Sequence, residues 1–226
     1  MELMRPEANN SIVKQIILQV EEALVNRELK SGDKFPSESN LIKNLGVSKV
    51  SVREAVKMLE ALGVLEVRRG EGTFIRSQPS TDIINPMLYS LLLEQPKDND
   101  ILDLRLMFEP AYTVMAMNNA TDEDLIIIKN LLTLFHQKIL DQTYTVEDDL
   151  NFHRAILEAT HNKYVIRIGF LILKVFKVSI NNSVHKVPET ALNDHLNIYE
   201  ALLMKNEAQL RKCVIDSFNG WIENMK

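Results

Sequence analysis

The sequence predicts two domains: a small N-terminal domain of helices with a β-hairpin, followed by an all-α antiparallel helical bundle. Its 226 residues are 46% hydrophobic and 25% charged, a composition that suits two modest apolar cores. Five of the seven glycines fall within residues 32–72, so tight turns are concentrated in the N-terminal third. Beyond Pro79, apolar positions recur with a period of about 3.6, and strand-like alternation is absent. We expect domains at 1–78 and 79–226, divided at the polar stretch 76–81.

Two helices open the first domain. The first is expected over residues 11–29, where apolar side chains follow one face, and a turn follows at 30–33. Ser37 can cap a short second helix that ends near Asn44. Gly46 then allows the sharp reversal that leads into a third helix.

The third helix and a hairpin complete this domain. The helix is expected from about Lys49 to Leu62, with Ser48 as its N-cap and Gly63 as a left-handed C-cap. Two β-rich runs, at 64–67 and 73–75, flank five residues that include two arginines and two glycines, which predicts a hairpin with a basic tip. This order of elements is that of a winged helix-turn-helix.

Charge is distributed unevenly between the two domains. The net charge is −5, yet residues 27–76 hold ten Lys and Arg against seven Asp and Glu. Residues 77–226 hold 14 against 20. The basic module suits a polyanion such as DNA. The acidic remainder argues against a nonspecific architectural DNA binder, because such proteins tend to be basic throughout.

A recognition helix presents its first turns to the major groove, which identifies the candidate DNA contacts. They are Ser48, Lys49, Ser51 and Arg53 on the third helix and Arg68 and Arg69 on the wing. Arg53 can form a two-pronged hydrogen bond with a guanine edge, and Lys49 can reach a base or a phosphate. The alternative for each residue alone is a solvated basic face, and the ordered combination of helix-turn-helix and basic hairpin favours DNA binding.

The first domain resembles the GntR family of bacterial transcription regulators. The resemblance is carried by residues 29–38, 45–55, 59–63 and 69–74. It implies DNA contacts at Lys49, at Arg53 and on the wing around Arg69 and Gly70. Ser39 stands where the family often has arginine. We therefore expect one base or phosphate contact to be weakened and the operator to differ from those typical of the family.

The second domain is expected to contain seven helices. They are predicted at 81–95, 98–119, 122–140, 146–160, 163–183, 189–204 and 207–224. Thr121 and Asp124 offer a capping pair for the third of them. The short connections between these helices favour antiparallel neighbours in a bundle.

An aspartate and two histidines in this bundle form a candidate site for a divalent metal such as zinc or nickel. Asp149 and His153 stand four residues apart on one helix, so both project from the same face, and His195 lies on a later helix that can pack opposite. In the alternative, Asp149 hydrogen-bonds His153 at the surface and His195 plays an unrelated role.

The second domain resembles the FCD effector domain of the FadR-like branch of GntR regulators. The resemblance is carried by residues 102–109, 148–156, 161–162 and 195–202. It implies a metal held by one Asp and three His, with an organic acid against it. Asp149, His153 and His195 match the first three ligands, whereas the third histidine would fall near Ser217, a poor ligand. The site is therefore completed by water or effector, or it has lost its metal.

The resemblance also implies a carboxylate-binding arginine at Arg105. A planar guanidinium can bind a carboxylate through two hydrogen bonds. The alternative is an intrahelical ion pair with Glu109. Ser217 and residues 187–189 look like those of sugar-acid regulators, so we expect an aldonate or uronate effector of the galactonate type. Lactate-like and dicarboxylic acids come next, and an acyl thioester is less favoured.

These observations predict a homodimeric transcription regulator that binds a palindromic double-stranded operator and is controlled by a small acid, either as a repressor released by the acid or as an activator. The rival is an all-α metalloenzyme, and it lacks a recognisable nucleophile, phosphate loop or His-Glu-x-x-His motif. We therefore expect no enzymatic activity. No apolar run approaches the roughly 18 residues of a membrane span. With Cys213 as its one cysteine, the chain is expected in the bacterial cytoplasm, at the nucleoid through operator binding.

Overall fold

A computed structural model of the chain describes residues 11–78, 85–94, 98–184 and 188–219. The chain forms two compact units, divided between Pro86 and Met87. The boundary expected between 78 and 79 adjoins residues 79–84, which lie outside the described ranges. Each unit has its own apolar core.

The first unit is a helix-turn-helix followed by a two-stranded hairpin, which confirms the predicted fold class. Its elements are α1 (Ile12–Val25), α2 (Glu38–Leu45), α3 (Lys49–Ala61), β1 (Leu65–Arg68) and β2 (Gly72–Ile75). The strands pair antiparallel, with Arg68 opposite Gly72, and Lys34 adds an isolated bridge to Phe74. One face of each helix packs into a common core that includes Ile16, Val20, Leu41, Val52, Val56, Leu59 and Leu65.

Local capping forms the turns of this unit as predicted. Ser37 accepts a hydrogen bond from the Asn40 amide, and Ser48 accepts one from the Ser51 amide. Gly46 has a φ of +67°, which lets the chain reverse between α2 and α3. The three-residue turn therefore fixes the N-terminal end of α3.

The first helix is shorter than the predicted 11–29, because α1 ends at Val25. Arg27 adopts a φ of +60°, and the amides of Glu28 and Leu29 both bond to the carbonyl of Ala23. This closing turn brings Leu29 back into the core, where its side chain is buried. Burial of Leu29 thus offsets the loss of one helical turn.

The second unit contains seven helices in its described part, in agreement with the prediction. They are α4 (Pro86–Leu93), α5 (Asp98–Asn119), α6 (Asp122–Leu140), α7 (Val146–Glu158), α8 (Lys163–Val184), α9 (Pro188–Leu203) and α10 (Glu207–Asp216). The first predicted helix, 81–95, extends at both ends beyond the described residues. Among these helices, none is long and apolar enough to cross a membrane.

The prediction of a last helix to residue 224 was wrong in its described part, because α10 ends at Asp216. The Ser217 hydroxyl donates to the carbonyl of Val214, and the Phe218 amide bonds to the carbonyl of Ile215 in a tighter turn. This turn contains Phe218, whose side chain is fully buried. Residues 220–226 lie outside the described ranges.

Helix α7 packs against α5, α6 and α8 and buries most of its side chains. Gly169 of α8 lies so close to α7 that a Cβ there would be 2.4 Å from Leu157 Cδ2. Most of the interior is apolar, and among the described residues eight polar or charged ones are nevertheless buried in it. They are Arg105, Glu109, Thr113, Asp148, Asp149, His153, Thr160 and His195.

Candidate functional site

Six polar side chains from three helices meet inside the second unit. Helix α5 contributes Arg105, Glu109 and Tyr112, α7 contributes Asp149 and His153, and α9 contributes His195. Because all six are buried, the alternative in which Asp149 and His153 pair at the surface is excluded.

The carboxylate of Asp149 faces the rings of both histidines. Its Oδ1 atom lies 3.4 Å from His195 Nε2, and its Oδ2 atom lies 3.7 Å from His153 Nε2. One ligand atom from each residue lies within 4.8 Å of the other two. Metal–ligand bonds of about 2.0–2.1 Å at a tetrahedral angle would place two ligand atoms about 3.4 Å apart. The spacing of these donors therefore fits a divalent metal ion.

Neighbouring side chains fix the orientation of both imidazole rings. Phe152 stacks on His195 with ring centroids 4.0 Å apart and an interplanar angle of 18°. On the far side of His153, the Tyr112 hydroxyl lies 3.4 Å from Nδ1, and Glu109 Oε2 lies 3.7 Å from the same nitrogen. In the described part of the chain, His195 Nδ1 is buried without a hydrogen-bond partner. Each ring thus turns its Nε2 toward Asp149.

Burial shifts the protonation of all three candidate ligands. It raises the pKa of Asp149 to about 7, with Arg105 opposing the rise and Glu109 adding to it. Burial, aided by the charge of Arg105, lowers the pKa of His153 to about 3. The pKa of His195 is also lowered well below its usual value by burial. Both histidines are therefore neutral near pH 7, the form that binds metals.

Arg105 lies beside these residues inside the bundle. Its Nε donates to Glu109 Oε1 at 2.6 Å, and the side chains of the pair are 8% and 4% exposed. The guanidinium carbon also lies 4.7 Å from the ring centroid of Phe218 and 5.5 Å from that of Phe176. The intrahelical pair with Glu109 is therefore present, and it lies at the candidate site rather than on the surface.

Ser217 contributes no ligand atom to the cluster of three. Its hydroxyl donates to the carbonyl of Val214 at 2.8 Å. Asp216 is exposed and pairs with Lys212. Three protein donors are therefore present among the described residues, and Phe218, next along the chain, is the residue that reaches Arg105.

The candidate DNA contacts of α3 lie on exposed or half-buried positions at its N-terminal end. The hydroxyls of Ser48 and Ser51 are 2.9 Å apart, and Lys49 is exposed. Arg53 Nε donates to Glu38 Oε2 of α2 at 2.9 Å. The four predicted residues thus lie at the N-terminal end of one helix.

The wing places its basic residues around a tight turn. Arg68 pairs with Glu66, and its guanidinium carbon lies 4.4 Å from the centroid of the Phe74 ring. Arg69 is exposed, and Gly70 has a φ of +82°, with no atom within 4 Å of the point where a Cβ would lie. Their roles in DNA binding stay a prediction.

Sequence reasoning did not assign site roles to Glu109, Tyr112, Phe218 or Glu38. Glu109 follows Arg105 by one helical turn, and its spacing predicts only that pair, although Tyr112 and Glu109 together face His153. Glu38 is remote from Arg53 along the chain, so only the packing of α2 against α3 reveals the pair.

Comparisons with known proteins match both units. Residues 12–75 match the model of "Bacterial regulatory proteins, gntR family", and residues 100–219 match that of the FCD domain. The HTH-type transcriptional regulator LutR of Bacillus subtilis is 29% identical over 216 residues, covering 88% of this chain and 97% of LutR. The HTH-type transcriptional repressor NanR of Klebsiella aerogenes is 28% identical over 207 residues, covering 88% of this chain and 79% of NanR.

A solved structure has the same fold. The Streptococcus agalactiae GntR structure superposes with a TM-score of 0.66 at 23% identity, covering 95% of this chain and all of that one. A helix-turn-helix unit joined to a helical effector domain defines a DNA-binding transcription regulator, not an enzyme. The chain belongs to the GntR family of bacterial regulatory proteins and carries an FCD domain.

Proposed function

We propose that this regulator is a homodimeric repressor whose operator binding is controlled by a small carboxylate bound with a divalent metal in the FCD domain. The observation that carries the proposal is the buried cluster of Asp149, His153 and His195 with Arg105 on the neighbouring helix. The Klebsiella aerogenes relative is named a repressor, which supports repression as the mode of control that we propose.

Asp149, His153 and His195 would hold the ion, with zinc or nickel preferred for one carboxylate and two imidazoles. Glu109 and Tyr112 would accept or share the proton on Nδ1 of His153 and so keep Nε2 turned toward the ion. When bound, the ion supplies open coordination positions for oxygen atoms of an effector. Such positions remain because Ser217 contributes no fourth protein ligand.

A sugar acid of the aldonate or uronate type, such as galactonate, is the effector we favour. A hydroxyl next to a carboxylate can fill two adjacent coordination positions, which a simple carboxylate does less well. Arg105 would bind the carboxylate with its fork of donors. Lactate-like and dicarboxylic acids share part of this chemistry and rank next.

The DNA-binding residues would act as a symmetric pair of modules. Arg53 and Lys49 would contact base edges, and Ser48 and Ser51 would contact phosphates near the N-terminus of α3. Arg68, Arg69 and Gly70 of the wing would follow the backbone or minor groove. One module reads only a few base pairs, so a two-fold dimer on a palindrome is the arrangement we infer.

A thermal-shift screen tests the effector site. The full chain is heated with sugar acids, hydroxy acids and dicarboxylates, each with chelator or with added zinc or nickel. We expect one acid class to raise the melting temperature only when metal is present, because ligand that binds the folded state stabilises it. His153→Ala should remove the shift, whereas His161→Ala, at an exposed histidine paired with Asp124, should keep it. A shift that survives His153→Ala would contradict the proposed site.

A further inference from the structure

Arg53 and Glu38 connect the two helices of the helix-turn-helix. Glu38 is the first residue of α2, directly after its N-cap Ser37, and Arg53 lies in the second turn of α3. The Nε atom of Arg53 donates to Glu38 Oε2 at 2.9 Å. In the described part of the chain this is the hydrogen bond that the Arg53 side chain makes.

The hydrogen bond to Glu38 uses the Nε donor of Arg53, so the two terminal nitrogens of the guanidinium can bind other partners. A guanidinium is planar, so a bond at Nε restricts the rotation of the whole group. A two-pronged contact with guanine needs two parallel N–H donors, and the two terminal nitrogens supply such a pair. Arg53 is therefore held by Glu38 in a way that keeps a base-reading pair of donors available.

A contribution to the stability of the fold does not explain the ion pair between Arg53 and Glu38. Its side chains are 55% and 40% exposed, and ion pairs of that exposure contribute little to folding. The carboxylate also adds a negative charge to a surface that we expect to face phosphates, which weakens DNA binding of any sequence. Glu38 is the acidic residue in the first turn of α2, and neighbouring Ser39 brings no positive charge to compensate.

We propose that Glu38 is a positioning residue that sets operator specificity by holding the Arg53 guanidinium in its base-reading orientation. The inference rests on the proposed role of Arg53 in the recognition helix. A long arginine that is already oriented loses less freedom on binding, and the carboxylate discourages Arg53 from pairing with a phosphate instead of a base. Glu38 thus increases the preference of the protein for its operator over other DNA sequences.

The test compares binding of the full chain to its selected operator and to a scrambled duplex at one salt concentration. The operator is first selected from random duplexes with the unmodified chain. We expect Glu38→Ala to reduce the ratio of the two affinities by roughly tenfold, while binding to the scrambled duplex stays equal or tightens. Glu38→Gln, which keeps an acceptor for Nε, should retain part of the ratio.

Glu54→Ala is the matched control. Glu54 is an exposed acid adjacent to Arg53 whose carboxylate makes no hydrogen bond in the described part of the chain. Its removal should strengthen binding to both duplexes alike, leaving their ratio unchanged. If Glu54→Ala lowers the ratio as much as Glu38→Ala, the effect is general electrostatics and the inference is overturned.

Operators with one base pair changed at a time separate this inference from the proposed function. Arg53→Ala and Glu38→Ala should relax discrimination at the same base pairs, and Glu38→Ala should not relax it further in the Arg53→Ala background. If Arg53→Ala itself leaves every preference unchanged, the proposed recognition helix is wrong. If Arg53→Ala relaxes a position and Glu38→Ala does not, the role of Arg53 stands and that of Glu38 is refuted.

Discussion

Glu109 has two partners at once, although its carboxylate lies in an apolar interior. It accepts a hydrogen bond from Arg105 through one oxygen and faces His153 Nδ1 with the other. A buried charge is costly unless it is paired, so this double contact explains how the carboxylate is tolerated. It also connects the expected effector-binding arginine to an expected metal ligand.

Glu109→Gln should lower the affinity of the chain for zinc by about 10- to 100-fold, because His153 loses a charged partner for Nδ1. Competition with a coloured chelator measures the change. Glu158→Gln, on the exposed side of α7, is the control and should leave the affinity unaltered. Equal zinc affinity in both variants would show that Glu109 does not support His153.

At the scale of secondary structure, local chemistry was predicted well and long-range packing was not. The caps at Ser37, Ser48 and Thr121 depend on residues within one turn, so the sequence indicates them. The ends of α1 and α10 depend on Leu29 and Phe218 entering the interior, which periodicity does not reveal. Both helices are accordingly shorter than the segments that their apolar periodicity predicts.

The capping box of α6 offers a pH-dependent prediction. The Thr121 amide and hydroxyl and His161 Nε2 all contact Asp124 Oδ2, at 2.8, 2.7 and 2.7 Å. Burial alone would raise the pKa of Asp124, but the bonds from Thr121 and His161 lower it below 3.8. Asp124→Asn should therefore reduce the free energy of unfolding by about 1 kcal/mol at pH 7.

The difference in unfolding free energy between the Asp124→Asn variant and the unmodified chain should persist down to the usual carboxyl pKa. It should disappear as the pH falls through the lower pKa of Asp124 in the folded state, since the unmodified side chain is then protonated too. Urea unfolding between pH 7 and pH 3 measures it. Asp122→Asn removes a charge from the same turn at a carboxylate without a hydrogen bond in the described structure. A loss of equal size there would assign the effect to helix-end charge.

Close approach of α7 and α8 depends on Gly169. A Cβ at this position would lie 2.4 and 2.6 Å from the two methyl carbons of the fully buried Leu157. Gly169→Ala should therefore destabilise the second unit by about 1–3 kcal/mol through overpacking. In a Leu157→Ala background the added methyl has space, so Gly169→Ala should be neutral or stabilising there. Additive effects in thermal unfolding would contradict this packing account.

For the whole molecule, the sequence indicated both domain classes and the cluster of Asp149, His153 and His195, and it left the residues around that cluster unassigned. Asp149 and His153 share a helix, so their four-residue spacing was enough to pair them. His195 was placed with them because it lies on a later helix that can pack opposite, and Arg105 was assigned by resemblance to a known effector domain. Tyr112 and Phe218 reach the site only through the packing of α5, α7 and α10.

The proposed binding of a homodimer predicts a strict dependence on the geometry of the operator. Insertion of five base pairs at the centre of the palindrome rotates one half-site by about half a helical turn, so the two modules can no longer engage together. We expect the affinity to fall by about 100-fold or more. The same insertion outside the palindrome is the control. Unchanged affinity after the central insertion would indicate independent monomers.

The candidate ligands are shared between α7 and α9, and the whole of α8 lies between them along the chain. An ion bound by His153 and His195 would act as a removable cross-link between α7 and α9, and α8 lies in the loop of chain that it closes. Like a disulfide, this cross-link would restrict the partly opened states of the domain. Its loss would release α8 and α9 before α5, because α5 lies outside the segment between His153 and His195. Metal supply would then set how readily amide hydrogens in α8 exchange with solvent.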